Sequence, residues 1–295
     1  MTPRTRILAR GAAITALALG TLGTGSAAAD TTAVADPTAQ NVTAYGTTAA
    51  WSRKAADGYH LVVAQGANVT DAPVPASSSP YDPDLGPTKA NGRAIVYSRD
   101  GDLYRYDVGA AAEQKLVALS SPATEIAPSI FKDTIVFSRT TGKSPGTYVL
   151  RAKRKLTRVF RTVALETDVA ATRIIGRYGK GARSIIRILN MDASNVRIAT
   201  RATTGERVAS PTLTRFNGIW LRVGASQTTV EQVGVNSHRG LDVRTADRAL
   251  PGQVGSLASY RIPTIYTNQA GVQRILPKRP WSPSPSTARW SPARA

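Results

Sequence analysis

The chain contains no cysteine and only two histidines, His60 and His238. Without cysteine there are no disulfides, thiolate metal ligands, thiol nucleophiles or lipid-modified N-terminal cysteine. Two histidines cannot build a multi-histidine zinc centre. Acids are scarce: 19 Asp and Glu stand against 38 Lys and Arg, a formal net charge of +19 over 295 residues. No G-x-S-x-G elbow, P-loop or dinucleotide fingerprint is present. No catalytic residue, metal ligand or cofactor is therefore assigned. The hydrophobic content of 42% is that of an ordinary globular protein.

The N-terminus, MTPRTRILARGAAITALALGTLGTGSAAAD, has a positive front (Arg4, Arg6, Arg10), an apolar stretch from Ile14 to Leu22 and a small-x-small site at Ala27-Ala28-Ala29. That order is an export signal, expected over residues 1–29 and cleaved. It lacks adjacent arginines, which points to the general secretory route. An uncleaved anchor is the rival, but the apolar run is short for a bilayer span. Cleavage removes three arginines and no acid and leaves a mature charge of +16. No later stretch is apolar enough for a membrane span, so a secreted or envelope-associated protein is expected, held by its core rather than by covalent staples.

A short apolar strand ending in an aromatic, a small residue and Arg recurs along the chain. The copies are AAWSR, IVYSR, IVFSR, RIIGR, GIWLR and TIYTN, ending at 53, 99, 139, 177, 222 and 268. Their mean spacing is 43 residues. Each lies among short β-branched and aromatic runs separated by Gly, Pro, Asn and Asp, which is strand-and-turn chemistry. No sustained helical period appears outside the export segment. A unit of this length with several strands is the arithmetic of a β-propeller. The expectation is an all-β, six-bladed β-propeller over residues 30–276. A Pro/Ser-rich exposed loop is expected at 71–87, and a disordered Pro/Ser/Arg-rich tail at 277–295.

The stretch ANGRAIVYSRDGDLYRYDV (90–108), followed by IAPSIFKDTIVFSR (126–139), resembles the TolB-like family of six-bladed propellers. The resemblance covers about residues 40–276. The family's Asp-Gly turns survive clearly only at Asp100-Gly101. Such propellers mostly serve as binding platforms, and some carry a separate catalytic domain. No residues remain here for one, so the resemblance implies binding more than chemistry.

Two sets of residues are candidates for that binding. Arg53, Arg99, Arg139, Arg177 and Arg222 end five copies of the motif, and rotation about the axis would set them in a ring able to hold carboxylates or phosphates bidentately. The competing account pairs each Arg with a neighbouring carbonyl or carboxylate, or stacks it on the motif's ring. The second set is the run Arg151, Lys153, Arg154, Lys155, Arg158 and Arg161, a basic patch that would attract polyanions. Asp100, Asp102 and Asp107 read as turn residues, as do Asp82 and Asp84 in the long loop. His60, in a strand, and His238, in a loop, read as structural.

The function these features support is a secreted, non-enzymatic binding or scaffold propeller. It would engage a protein or an anionic cell-envelope polymer through a basic face, as a monomer, without nucleic acid as its partner. The alternative is an extracellular hydrolase or lyase with acids at the propeller axis.

Overall fold

The protein is described here by a computed structural model. It describes residues 31–276 except 37, 118, 120, 152–154, 215–216, 235–242, 252–256, 260–263 and 268–271, with the backbone alone at 31–35 and beyond 242. The expected export segment and tail lie outside the described residues, as do Lys153, Arg154 and His238. The described chain is all β apart from one 3-10 turn at Gly181–Arg183. Among the described residues, no helix is long and apolar enough to cross a membrane.

After β1 (Thr31–Ala35), five four-stranded antiparallel sheets follow one another. Blade 1 is β2 (Ala39–Tyr45), β3 (Thr48–Ala55), β4 (Gly58–Gln65) and β5 (Asn68–Asp71). Blade 2 is β6 (Asp84–Pro87), β7 (Arg93–Arg99), β8 (Asp102–Asp107) and β9 (Ala112–Lys115). Blade 3 is β10 (Glu125–Phe131), β11 (Thr134–Arg139), β12 (Gly146–Leu150) and β13 (Thr157–Phe160). Blade 4 is β14 (Glu166–Ala170), β15 (Arg173–Tyr178), β16 (Ile185–Asn190) and β17 (Arg197–Arg201). Blade 5 is β18 (Arg207–Leu213), β19 (Asn217–Val223), β20 (Gln227–Gly234) and β21 (Val243–Pro251).

This architecture is a propeller: consecutive meanders whose first strands, β2, β6, β10, β14 and β18, stand side by side around one axis. Five blades are contiguous in the chain, one fewer than the six expected. The last motif copy lies in a further sheet ordered β1-β24-β23-β22, built from β22 (Leu257–Ser259), β23 (Thr264–Thr267), β24 (Val272–Leu276) and the N-terminal β1.

The motif is the second strand of each blade, and its third residue is fully buried in all five: Trp51, Tyr97, Phe137, Ile175 and Trp220. Tyr97 packs with Ala50, Leu61 and Val63 of blade 1, and Phe137 with Ala94, Val96 and Leu103 of blade 2. Trp220 packs with Ile186 and Ile188 of blade 4. These rings cement each blade to the one before it, where large aromatic area is most useful. The fourth copy is out of phase. Ile175 packs forward, its Cδ1 3.0 Å from where a Cβ on Gly218 of blade 5 would stand. In a strand, a slip of one residue turns every side chain to the other face.

The segment 71–87 departs from the exposed loop expected. It carries β6, and Tyr81 is fully buried, in an edge-to-face contact with Tyr97 at 5.1 Å. Ser77 bridges back to Tyr59. The proline-rich composition suggested a loop, but a propeller's first strand has a free edge on the axis. There the N–H that proline lacks is not missed. Pro83, Pro128 and Pro211 all occupy that edge or the step into it.

Candidate functional site

Each blade has two ends. At one, the second strand finishes, the third begins and the chain passes to the next blade. This is the handover end. The five motif arginines lie at or near the ends of second strands and so share that end. Each engages a carboxylate. Arg53 pairs with Asp71. Arg99 grips Glu113 with both terminal nitrogens, at 2.6 and 3.0 Å, and its guanidinium lies 4.0 Å from the Tyr104 ring centre. Arg139 donates to Glu125 at 3.1 Å and to the Leu119 carbonyl at 2.8 Å. Arg177 meets Glu166 at 2.8 Å. Arg222 donates to Glu231 at 2.6 Å and to Glu206 at 2.9 Å. These contacts are the pairing account in geometric form: every guanidinium has a counter-charge or a ring in its own blade or the step into it.

The described residues of the basic run do not form one patch. Arg151 and Lys155 belong to the β12–β13 connection, at the end opposite to the handover. Arg158 lies on β13, the outermost strand of blade 3, and Arg161 follows it at the handover end. Lys155, Arg158 and Arg161 are exposed, and Arg151 is half-buried.

Acids meet at the axis. A cavity of about 140 Å³ is lined by the first strands of all five blades, and Asp82, Asp84, Glu166 and Asp168 are in its wall. Asp82 and Asp84 are therefore axial rather than turn residues on a surface loop. Asp84 accepts the Ile130 N–H of blade 3 at 2.7 Å and the Thr43 hydroxyl of blade 1 at 3.3 Å. Asp168 accepts the Leu213 N–H at 2.5 Å and the Thr212 hydroxyl at 2.9 Å, both from blade 5. Glu166 accepts the Ser210 N–H at 2.6 Å. In the same role Thr43 accepts the Leu85 N–H at 2.9 Å, and Ser129 meets Thr167 at 3.0 Å. From blade 1 to blade 4, polar side chains of the first strand thus latch each blade to the next.

Burial raises the acids' proton affinity. The Asp82 carboxyl is pushed up to about 7, chiefly by desolvation and next by Glu166, against the pull of Arg177. Asp168 rises to about 6 through desolvation, held back by the donors from Leu213, Thr212 and Val169. Asp84 stands well above its ordinary value, through desolvation and then the facing Asp168 charge. Asn41, Ala127 and Ser210, in the same wall, have φ of +52°, +50° and +48°, each where the pairing register of its strand shifts. Such bulges re-aim side chains at barrel rims and functional sites.

Asp100 and Gly101 form the expected turn, with φ of +54° and +82°. Asp102 meets Lys115 at 2.6 Å, and Asp107 accepts the N–H groups of Gly109 and Ala110. His60 lies 2.8 Å from Asp57, which is exposed. Among the described residues no group of His, Cys, Asp or Glu is arranged to hold a metal ion.

A scan against family models finds no match, and a search of curated proteins also finds none. Solved structures do match, and they define the class as a β-propeller with TolB-like neighbours. TolB from Acinetobacter baumannii superposes with a TM-score of 0.53 at 16% identity, over 79% of this chain and 64% of that one. The chain thus spans less than two thirds of that protein's length. A putative TolB from Agrobacterium tumefaciens gives 0.58 at 11% identity, over 81% and 91%. An oligogalacturonate lyase in complex with manganese gives 0.51 at 11%, over 77% and 73%. At these identities the likeness concerns the fold, which hosts both binding proteins and enzymes.

Proposed function

We propose that the protein is a secreted, non-enzymatic binding propeller that engages an anionic partner through a basic face. The observation that carries this reading is the fate of the acids in blades 3 and 4. Residues 143–207 hold 15 Lys and Arg against four acids, Glu166, Asp168, Asp192 and Glu206. Glu166 and Asp168 face the axial cavity, and Glu206 is tied to Arg222. Within this stretch that leaves Asp192 to offset the outer-surface cations, while Asp133, in the β10–β11 turn of blade 3, is paired with Arg105 of blade 2. A surface of one sign concentrates ligands of the other and speeds their encounter. The motif arginines are structural in this reading, so replacing them would test stability rather than binding. The β1-β24-β23-β22 sheet is read as a sixth blade, closed by the N-terminal strand. Its support is that β22 lies beside both β18 and β2.

Retention of the mature protein on purified envelope material tests the reading. Retention should fall steeply as salt rises from about 50 to 500 mM, because exposed charges are screened over shorter distances. Retention that ignores salt would refute it.

A second reading, an extracellular hydrolase or lyase, is favoured by one observation. Four carboxylates do face the axial cavity, and Asp82 combines a raised proton affinity with the absence of a latch partner among the described residues. Glycan turnover by the wild type that Asp82→Asn abolishes without loss of folding would establish it.

A further inference from the structure

We infer that the handover end of blades 3 and 4 is the docking face, and that its ligand is a linear phosphodiester polymer held through charge. This rests on the binding reading above and goes beyond it in face and ligand. The topology gathers at this end cations that are remote in sequence. Lys143 lies between β11 and β12, and Arg161 in the step from blade 3 to blade 4. Lys180 and Arg183 lie between β15 and β16, and Arg201 closes β17. All five are exposed, and no ion pair involves them among the described residues.

The acids at this end are already committed. Glu125, Glu166 and Glu206 are held by Arg139, Arg177 and Arg222. The motif pairs thus remove the counter-charges that would otherwise neutralise the five. The opposite end of the same blades is less suited. There Asp192 is present, its carboxyl lowered chiefly by the Ser194 hydroxyl and N–H and last by the Arg151 charge, and Asp133 is present too, paired with Arg105.

Two features favour a charged polymer over a protein. Protein interfaces are anchored by buried apolar and aromatic side chains. Of the exposed large hydrophobics of the described chain, Val69, Val117, Val196 and Ile198, a single one, Val117 in the step from blade 2 to blade 3, lies at this end, and none is in the four connections that carry the five cations. The cations are also spread over two blades, which suits an extended ligand with a charge on every unit. A phosphodiester keeps that charge throughout the ordinary pH range, and guanidinium groups match its oxygens two at a time.

The test uses the mature full chain and poly(glycerol phosphate), with polyglutamate of equal charge as comparator. Wild type should bind the phosphate polymer at low salt and prefer it. The triple variant Lys180→Glu, Arg183→Glu, Arg201→Glu should bind at least about tenfold more weakly, with a salt slope smaller by about 3. Its melting temperature should be unchanged, because the three residues are exposed. The control Arg151→Glu, Lys155→Glu should bind as wild type does. If the control loses binding and the triple variant retains it, the face is wrong while the polyanion reading stands. A preference for polyglutamate would overturn the phosphate assignment. If wild type binds neither polymer, both this inference and the polyanion reading fall.

Discussion

Trp220 donates its indole proton to the carboxylate of Glu231 at 2.6 Å, directly across the β19–β20 ladder. Arg222, two residues on and on the same face, donates to the other oxygen of that carboxylate, also at 2.6 Å. Tyr97 and Arg99 share Glu113 in the same way. In blades 2 and 5 the aromatic-small-Arg signature therefore supplies two members of a three-residue device whose acid lies elsewhere in the blade. Glu231→Gln removes the charge while keeping the size. It should cost about 2–3 kcal/mol, since a partly buried Arg loses one of its counter-charges. Trp220→Phe should cost less, about 1–2 kcal/mol for one hydrogen bond and some ring area. Thermal unfolding of both variants checks the order, and a larger loss for Trp220→Phe would contradict it.

The arginines could be read from the sequence and their partners could not, for a geometric reason. The acid comes from the fourth strand in blades 1 and 2, the first strand in blades 3 and 4, and the third in blade 5. All these strands pass near the motif's end, so folding offers several equivalent places for one charge, and no fixed spacing marks it. The fourth copy, with Ile175 and Gly176 in place of aromatic and serine, did carry a visible sign of its altered phase.

The axial latches were hidden by composition. Asp84 follows Pro83 in a Pro/Ser-rich stretch, so local chemistry suggested a surface turn, while Pro128-Ser129 and Pro211-Thr212 are the same step in better-marked blades. Asp84→Ala would orphan the Ile130 N–H, which Asp84 holds at 2.7 Å. The expected loss is about 1–3 kcal/mol. Asp84→Asn keeps an acceptor and removes a charge that burial disfavours, so it should be the milder change. Equal losses in denaturant unfolding would show that the latch is not what Asp84 contributes.

Gly86 marks how closely the first strands approach. A Cβ there would stand 2.0 Å from the carbonyl oxygen of Ile130 in the next blade. Blade 2 and blade 3 must separate to admit it, at a cost of about 2 kcal/mol or more. Gly66, where an added Cβ meets nothing within 4 Å, is the spatial control, although its φ of +61° adds a small strain. Gly86→Ala should lower the melting temperature by several degrees more than Gly66→Ala.

The axial acids give the stability a sign with pH. Asp82 and Asp168 hold their protons to about 7 and about 6 in the folded protein, against 3.8 when unperturbed. Between those limits the folded state binds more protons than the unfolded one, so stability falls as pH rises from about 4 to 7 and levels off above. Acids such as Glu206, lowered by Thr203 and Arg222, act in the opposite sense below that window. Asp82→Asn removes one raised group without adding charge. The variant should match wild type near pH 4 and exceed it at pH 8, by about 1 kcal/mol for each unit of the shift that the native cavity sustains. A Tm difference independent of pH would mean that Asp82 is solvated at the axis and contributes nothing to the pH dependence of stability.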